Sequence, residues 1–351
     1  MNNHKLRKQL LVFVPLFVVF SLCATSFSLP RFSIKSAANC SSCHINPSGA
    51  GMRNEFGNHT MAFQELVLPQ TKKYFKDNYL LPRLGEGATY GFDVRYIVSD
   101  DFNVRRFQTD LFLALQPLKP LTYQVRLSGG GITEQYAMLK LSRDRFFIKA
   151  GTFHPTFGLH NSDYDSFNMV RTGNFASTFL DGVAFGADLQ SFSIVFEAFN
   201  PDRRGVYGLH LYRTSRMGPF GLMGGASLRF SEYYTYRGGN GSFPHAKAIF
   251  GGINYDRFTF EGELDLAGRG NDTLIVYANF TTRIEYGFYF IAEYNFFDGN
   301  RDFSDGVDEF LRFSIELFPI PYVEFRPSFT RYTRGFRSGE NDFFVQFHLG
   351  Y

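Results

Sequence analysis

The sequence predicts an all-β fold: a closed transmembrane outer-membrane-type β-barrel of about 16 strands, with a small separate segment ahead of it. Three observations carry this reading. From about Ala88 onward, apolar and polar residues alternate with period 2 in run after run. The connections between runs sort into short ones alternating with generally longer ones, the pattern of an outer-membrane barrel. Phe 44 and Tyr 20 against Trp 0 is aromatic-heavy, yet mean hydropathy is only −0.17. Low hydropathy is what results when lipid-facing apolar residues alternate with lumen-facing polar ones.

Residues 1–28 read as a secretory signal peptide. Lys5, Arg7 and Lys8 form a basic start, an apolar run covers roughly Leu10 to Leu22, and Ala24, Ser26 and Ser28 supply small residues for cleavage. The apolar run is shorter than the roughly 20 residues a spanning helix needs. Cys23 follows Leu22, where a lipidation site wants a small residue, so it reads as part of the leader.

Residues 29–85 form a second unit, a segment and linker distinct in composition from the strand-rich remainder. It holds Cys40-Ser41-Ser42-Cys43-His44, one C-x-x-C-H, whose spacing suits covalent attachment of one c-type haem: two thiols for the porphyrin edge and an adjacent imidazole for the iron. Few alternatives fit. After removal of the leader only these two cysteines remain, too few for a disulfide scaffold. A structural zinc site needs four ligands, and no second C-x-x-C or paired histidines exist. A bare redox pair or a short disulfide stays open. His44 is the proximal iron ligand. For the distal position the candidates are His59, with Met61 or Met52 as alternatives, or a site left open or supplied by the barrel. A short helix is expected over Met52 to Leu68, stopped by Pro69. A segment this short cannot build a core unaided, so haem or docking against the barrel must supply its buried surface.

Residues 86–351 are the barrel. Tyr90, Phe92, Val94 and Tyr96 alternate with Gly91, Asp93 and Arg95, and the last run, Phe343, Val345, Phe347, Leu349 and Tyr351, ends on an aromatic residue, similar to the C-terminal signal of bacterial barrel proteins. Short connections are expected at 117–120, 142–145, 190–191, 215–219, 256–257, 282–285 and 318–321, and longer ones near 152–181, 231–245, 298–306 and 332–341. The inward positions are mixed in charge: Asp93, Arg95, Arg126, Lys149, Asp188, Glu261, Glu263, Asp265, Glu293, Arg312 and Glu316. They read as a hydrated lumen with charges paired across strands. The stripe Glu261, Glu263, Asp265 is the one that would suit a hard cation. The longest loop, beginning Gly151-Thr-Phe-His154-Pro-Thr-Phe157-Gly158-Leu-His160, can fold inward as a constriction, and its two histidines read as exposed loop residues.

The net charge of +3 gives no basic face for nucleic acid. No G-x-S-x-G, P-loop or zinc-hydrolase motif occurs, so an electron-transfer protein is expected rather than a conventional enzyme. The combination resembles the fused monohaem cytochrome c–porins of the outer-membrane electron-conduit type. The residues that carry the resemblance are Cys40-Ser-Ser-Cys43-His44, its tail Asn46-Pro47-Ser-Gly49-Ala-Gly51-Met-Arg53-Asn54-Glu-Phe-Gly57, and the terminal strand. The resemblance implies thioether links on Cys40 and Cys43, iron on His44, and electron transfer across a bacterial outer membrane. It implies as partners a periplasmic cytochrome or other carrier, an external donor or acceptor such as iron, and outer-membrane lipid. The haem segment would lie in the periplasm or the barrel lumen. The alternative is a porin or transport channel whose haem segment is a structural plug or sensor.

Overall fold

A computed structural model describes residues 30–49, 51–58, 65–75, 83–101, 103–142, 144–160, 165–172, 178–189, 191–200, 205–231, 245–268, 272–301 and 306–350. The leader, His59 and Met61 lie outside the described residues.

Sixteen antiparallel strands close into one barrel, each bonded to its sequence neighbours and the last to the first. They are β1 (Ala88–Ser99), β2 (Val104–Leu118), β3 (Leu121–Ser128), β4 (Gly131–Leu141), β5 (Phe146–Phe153), β6 (Leu180–Leu189), β7 (Phe192–Phe199) and β8 (Val206–Met217). The second half comprises β9 (Phe220–Ser231), β10 (His245–Tyr255), β11 (Phe258–Ala267), β12 (Thr273–Glu285), β13 (Phe288–Asp298), β14 (Val307–Ile320), β15 (Val323–Arg334) and β16 (Asn341–Gly350). Closure pairs Asp93 with Gly350 and Ser99 with Phe344, which leaves no strand edge unpaired.

Alternation sets the two faces. On β2, Phe107, Leu111 and Leu115 are exposed outward while Asp110, Phe112 and Ala114 are buried inward. On β11, Phe258, Phe260 and Leu264 face out and Thr259, Glu261, Glu263 and Asp265 face in. A one-residue slip would put those carboxylates into lipid, so the register is strongly specified. The connections sort as expected. At one end all are short: 119–120, 142–145, 190–191, 218–219, 256–257, 286–287 and 321–322. The strands run a few residues further into three of these turns than the sequence suggests, to Met217, Glu285 and Ile320. At the other end most are longer, with the Gly129–Gly130 hairpin as the exception. Both glycines have positive φ, which lets two residues close the turn.

The described residues between 30 and 68 pack largely against the inner wall of this barrel, toward the short-turn end. A helix Pro30–Ser36 lies against β8 to β11. Two local expectations are corrected. Pro69 does not stop a helix; it starts one, Pro69–Phe75, because its missing N–H and fixed φ suit the first helical position. No helix begins at Met52 either. Arg53 bridges His44 in an antiparallel pair, so the chain there is extended and the backbone donors go to the motif loop; helical turns start only at Glu55.

Candidate functional site

The Cys40–His44 stretch is a single turn of 3-10 helix, Cys40–Ser42, closed by its own tail. Cys43 and His44 donate N–H to the Cys40 carbonyl at 3.1 and 3.0 Å, Ile45 to Met52 at 3.1 Å, and Asn54 to Cys43 at 2.9 Å. The Asn54 amide faces the carbonyls of Ser41, Ser42 and His44 at 3.2, 3.1 and 3.4 Å, and its Oδ1 accepts the Gly57 N–H at 2.9 Å. Gly57 is required: a Cβ there would lie 2.2 Å from the Cys43 oxygen. Gly49, at φ +81°, turns the chain back, and a Cβ would crowd Cys40 at 3.2 Å. The turn itself is stapled by Asn46, whose Nδ2 donates to the Gly49 carbonyl at 3.1 Å. The motif and its tail thus form one closed unit.

That unit is bonded to the barrel wall. Asn39 and Ser41 both donate to Asp188 on β6. The Cys40 N–H reaches the Tyr212 hydroxyl on β8 at 3.0 Å, and Thr214 donates to Asn39 Oδ1 at 3.3 Å. Lys149 Nζ on β5 contacts Asn46 Oδ1 at 3.4 Å. Ile45 packs against the clusters around Tyr136 and Phe112. Toward the turns, Arg31 pairs with Glu316 on β14, and its guanidinium lies 4.7 Å from the Tyr289 ring. Lys35 pairs with Glu65, and Phe32 and Leu66 pack on Tyr289 and Phe318.

Cys40 and Cys43 are part-buried free thiols, not a disulfide. Burial pushes Cys43 up to about 11 and raises Cys40 as well, so both stay neutral thiols, unlike the depressed thiolates of a redox dithiol or a zinc site. Burial also lowers Arg53 to about 10, which leaves it charged at neutral pH. His44 is buried. Met52 is buried too, but it packs against Phe112 and Ala114.

From the other side the long loop after β5 descends into the lumen. Thr156 gives its N–H and its hydroxyl to Glu197, both at 2.7 Å; Gly158 N–H reaches Ser227 Oγ at 2.9 Å; Leu159 N–H reaches Glu263 at 2.7 Å. Further on, Asn168 binds Glu263 at 2.9 Å and Phe167 N–H binds Asn295 at 2.7 Å. Phe157, Leu159 and Met169 are buried. The expectation of exposed loop histidines is therefore corrected: His154 is buried, and the His160 ring meets it edge-on at 5.3 Å. Burial, then the neighbouring His154, His210, Arg229 and Lys149, hold His160 well below the usual histidine range, so its imidazole is neutral.

The inward carboxylate stripe serves this loop. Glu263 accepts two of its donors, and Glu261 accepts from Asn279 at 3.2 Å. Among the described residues no group of three or more His, Cys, Asp or Glu could hold a metal ion.

Between the motif unit and the inward loop lies a small, partly open pocket bordered by Cys40, Gly49, Leu159, His160, His210, Tyr212, Met223 and Phe250. His210, Tyr212 and Met223 belong to no motif. His210 stands between Leu209 and Leu211 and is legible in the sequence as inward-facing; nothing local says that it looks toward Cys40. Of Cys40, Cys43 and His44 only Cys40 borders this pocket; two neutral thiols and an adjacent imidazole are the donor types that covalent haem attachment uses.

No protein-family model matches the sequence, and no curated protein is similar to it. Solved structures are. OprB of Pseudomonas putida aligns with TM-score 0.57 and 9% identity, over 79% of this chain and 95% of its own. OmpT of Vibrio cholerae, an outer-membrane protein, aligns with TM-score 0.54 and 12% identity over 76% and 99%. OmpF of Salmonella typhi aligns with TM-score 0.51 and 11% identity over 75% and 98%. The chain has the porin-like fold of the outer-membrane β-barrels. At these identities the likeness speaks to the fold alone.

Proposed function

We propose that this porin-like barrel carries one haem c in its lumen and passes electrons across the outer membrane. Cys40 and Cys43 would hold the porphyrin by thioether links and His44 would ligate the iron. When bound, the haem supplies one-electron exchange at its iron. The chain's own residues do the rest. Asn54 and Gly57 fix the loop that carries the three attachment residues. Asp188 and Tyr212 hold that loop to the wall, and the inward loop covers it from the opposite side. The reading takes the short-turn end as periplasmic. A periplasmic cytochrome would then meet the motif unit at that mouth, and an external donor or acceptor, iron being one such, would act from the other face.

The observation that carries the proposal is the C-x-x-C-H loop docked inside the lumen, with its Cys40 N–H on the Tyr212 hydroxyl of β8. A second reading is supported by the fold comparisons and by them better than the first. In it the barrel is a solute channel, and the haem-bearing segment is a plug or sensor.

Two measurements decide. Denaturing gels stained for haem should show a band that Cys40→Ala with Cys43→Ala removes; an unstained wild-type band defeats both readings. Purified protein is then placed in liposomes holding a redox dye. Reduction of the dye by an external donor without solute-driven swelling supports the conduit, and swelling without dye reduction supports the channel.

A further inference from the structure

The short-turn end carries a cluster of cations that neither functional reading uses. The helix Pro30–Ser36 brings Arg31 and Lys35 to the inner wall, the turn after β10 brings Arg257, and β12 brings Arg283. All four border one small, partly open pocket, and Asp256 is the one carboxylate among its described lining residues. Like charges drawn together in this way repel one another, and each guanidinium needs acceptors for its N–H groups.

The neighbouring carboxylates do not meet that need. Arg31 pairs with Glu316 through Nη2, while its Nε is buried with no hydrogen-bond partner among the described residues. Arg283 lies 3.9 Å from Glu65 and 3.8 Å from Asp256, and Arg257 lies 3.7 Å from Asp256. These are ion contacts beyond hydrogen-bonding reach, and neither of the two side chains hydrogen-bonds to any described residue. Lys35 alone is closely held, by Glu65. Three arginines from three elements thus border one pocket with donors unspent. A buried donor left in that state costs free energy unless something satisfies it, and guanidinium forks match the oxygens of phosphate in geometry as well as charge.

We propose that this pocket is a binding site for a phosphate-type oxyanion, with Arg31, Arg257 and Arg283 donating to its oxygens and Lys35 adding charge. The pocket is small and opens at the mouth of the barrel, so it takes one anion by its edge and encloses nothing larger. The phosphate group belongs either to a free inorganic anion or to a phospholipid headgroup reaching over the β10–β11 turn. Bound there, it ties the N-terminal helix to that turn and to β12. The site does not depend on the haem.

The test uses the full-length protein as isolated, in maltoside detergent, freed of phospholipid and kept in buffer without phosphate or sulfate. Inorganic phosphate is titrated by calorimetry, and release of the N-terminal segment by limited proteolysis is followed alongside. Wild type should bind one phosphate saturably and release the segment more slowly as the site fills. Arg257→Gln and Arg283→Gln should each weaken binding about tenfold or more, the loss expected for a hydrogen bond to a charged group. Lys119→Gln, in the β2–β3 turn at the same end, should bind as wild type does. The Arg257 side chain is about half exposed, so its variant keeps the test decisive if Arg283→Gln folds poorly. A second arm replaces inorganic phosphate with short-chain phosphatidylglycerol. Binding of the lipid alone identifies a headgroup as the source, binding of inorganic phosphate identifies a free anion, and either result supports the site. Absence of saturable binding in both arms, or wild-type affinity in Arg257→Gln and Arg283→Gln, overturns it.

Discussion

Asn54 is the residue on which the motif loop depends most, and its replacement has a calculable effect. Its amide has two hydrogens for the carbonyls of Ser41, Ser42 and His44, and its Oδ1 takes the Gly57 N–H. Asn54→Ala removes about three hydrogen bonds, each with a net value of about 1 kcal/mol, so local opening of the loop should become easier by about 3 kcal/mol. At 1.4 kcal/mol per factor of ten that is roughly a hundredfold larger open population. Asn54→Asp should do more damage, because it turns a carboxylate toward three carbonyl oxygens while keeping only the Gly57 contact. The reporter is alkylation of Cys43 in haem-free protein refolded in detergent. In the closed loop burial pushes this thiol from 9 to about 11, so at pH 8 its thiolate is about a hundredfold scarcer than in an open loop, and labelling proceeds through opening. Wild-type rates should rank below Asn54→Ala, and that below Asn54→Asp. The same shift gives a pH dependence. Because the folded-state value is raised, the thiol's contribution to closure is complete below about pH 9 and is lost as pH rises through about 11. Equal labelling of all three proteins at pH 8 would refute the closed-loop reasoning.

The packing sets four further outcomes. Gly57→Ala drives a methyl group into the Cys43 carbonyl and should expose the cysteines to alkylation even with Asn54 intact. Arg31→Met leaves Glu316 buried without its partner, which should weaken docking of residues 30–75 by about 3–5 kcal/mol, while Arg31→Met with Glu316→Met should recover most of it; limited proteolysis of the folded barrel reads both, and equal protection of all three proteins would show that the pair anchors nothing. Gly158→Ala imposes a left-handed conformation costing roughly 1–2 kcal/mol on a non-glycine residue, and it clashes with Glu263. The loop should loosen and the ion conductance of single proteins in a planar bilayer should rise above that of wild type. A cysteine at Phe336, fully exposed on the β15–β16 connection, should label on intact cells, whereas one at Arg257 in the two-residue turn should not, and the reverse would invert the topology.

The barrel is legible because a half-buried strand writes its two faces into the sequence with period 2. The register of Glu261, Glu263 and Asp265 follows from the exposed Phe258, Phe260 and Leu264 beside them. The Cys40–His44 spacing and its glycine-rich tail are legible too, and Gly49 and Gly57 turn out to be demanded by contacts with Cys40 and Cys43. The departures have physical causes. Pro69 reads as a stop because proline ends helices more visibly than it begins them, yet at the first position it loses nothing. His154 and His160 read as solvated because loops run over surfaces. The contrary signal is present in Phe157 and Leu159, apolar residues that an exposed connection has little reason to carry. What no local pattern could give is the meeting of the loop with Cys40 and His210, since that depends on how three separately specified pieces dock.

The docking also bears on which of the two functional readings the lumen favours. An open channel presents charged side chains to water and to solute. Here the described inward charges are largely spent on one another: Arg126 on Asp110 at 2.6 Å, His348 on Glu324 at 2.8 Å and on Asp93 at 3.3 Å, Arg95 on Asp93 at 3.3 Å. Glu197 and Glu263 are spent on the inward loop, and Asp188 and Glu316 on the N-terminal unit. Most of these groups are as buried as core residues, and pairing is what makes such burial tolerable. A wall of this kind is matched to its contents. To pass a solute the barrel would have to withdraw the loop or the N-terminal unit and leave several carboxylates and guanidinium groups unpaired at once. To pass an electron it need move neither. The apolar band of such a barrel is about 25 Å tall, and a donor seated within it faces a shorter distance to the far side than one held outside. Among the described residues these contacts mean that opening a solute path would take a concerted rearrangement, and swelling and dye reduction measured on the same liposomes separate the two readings.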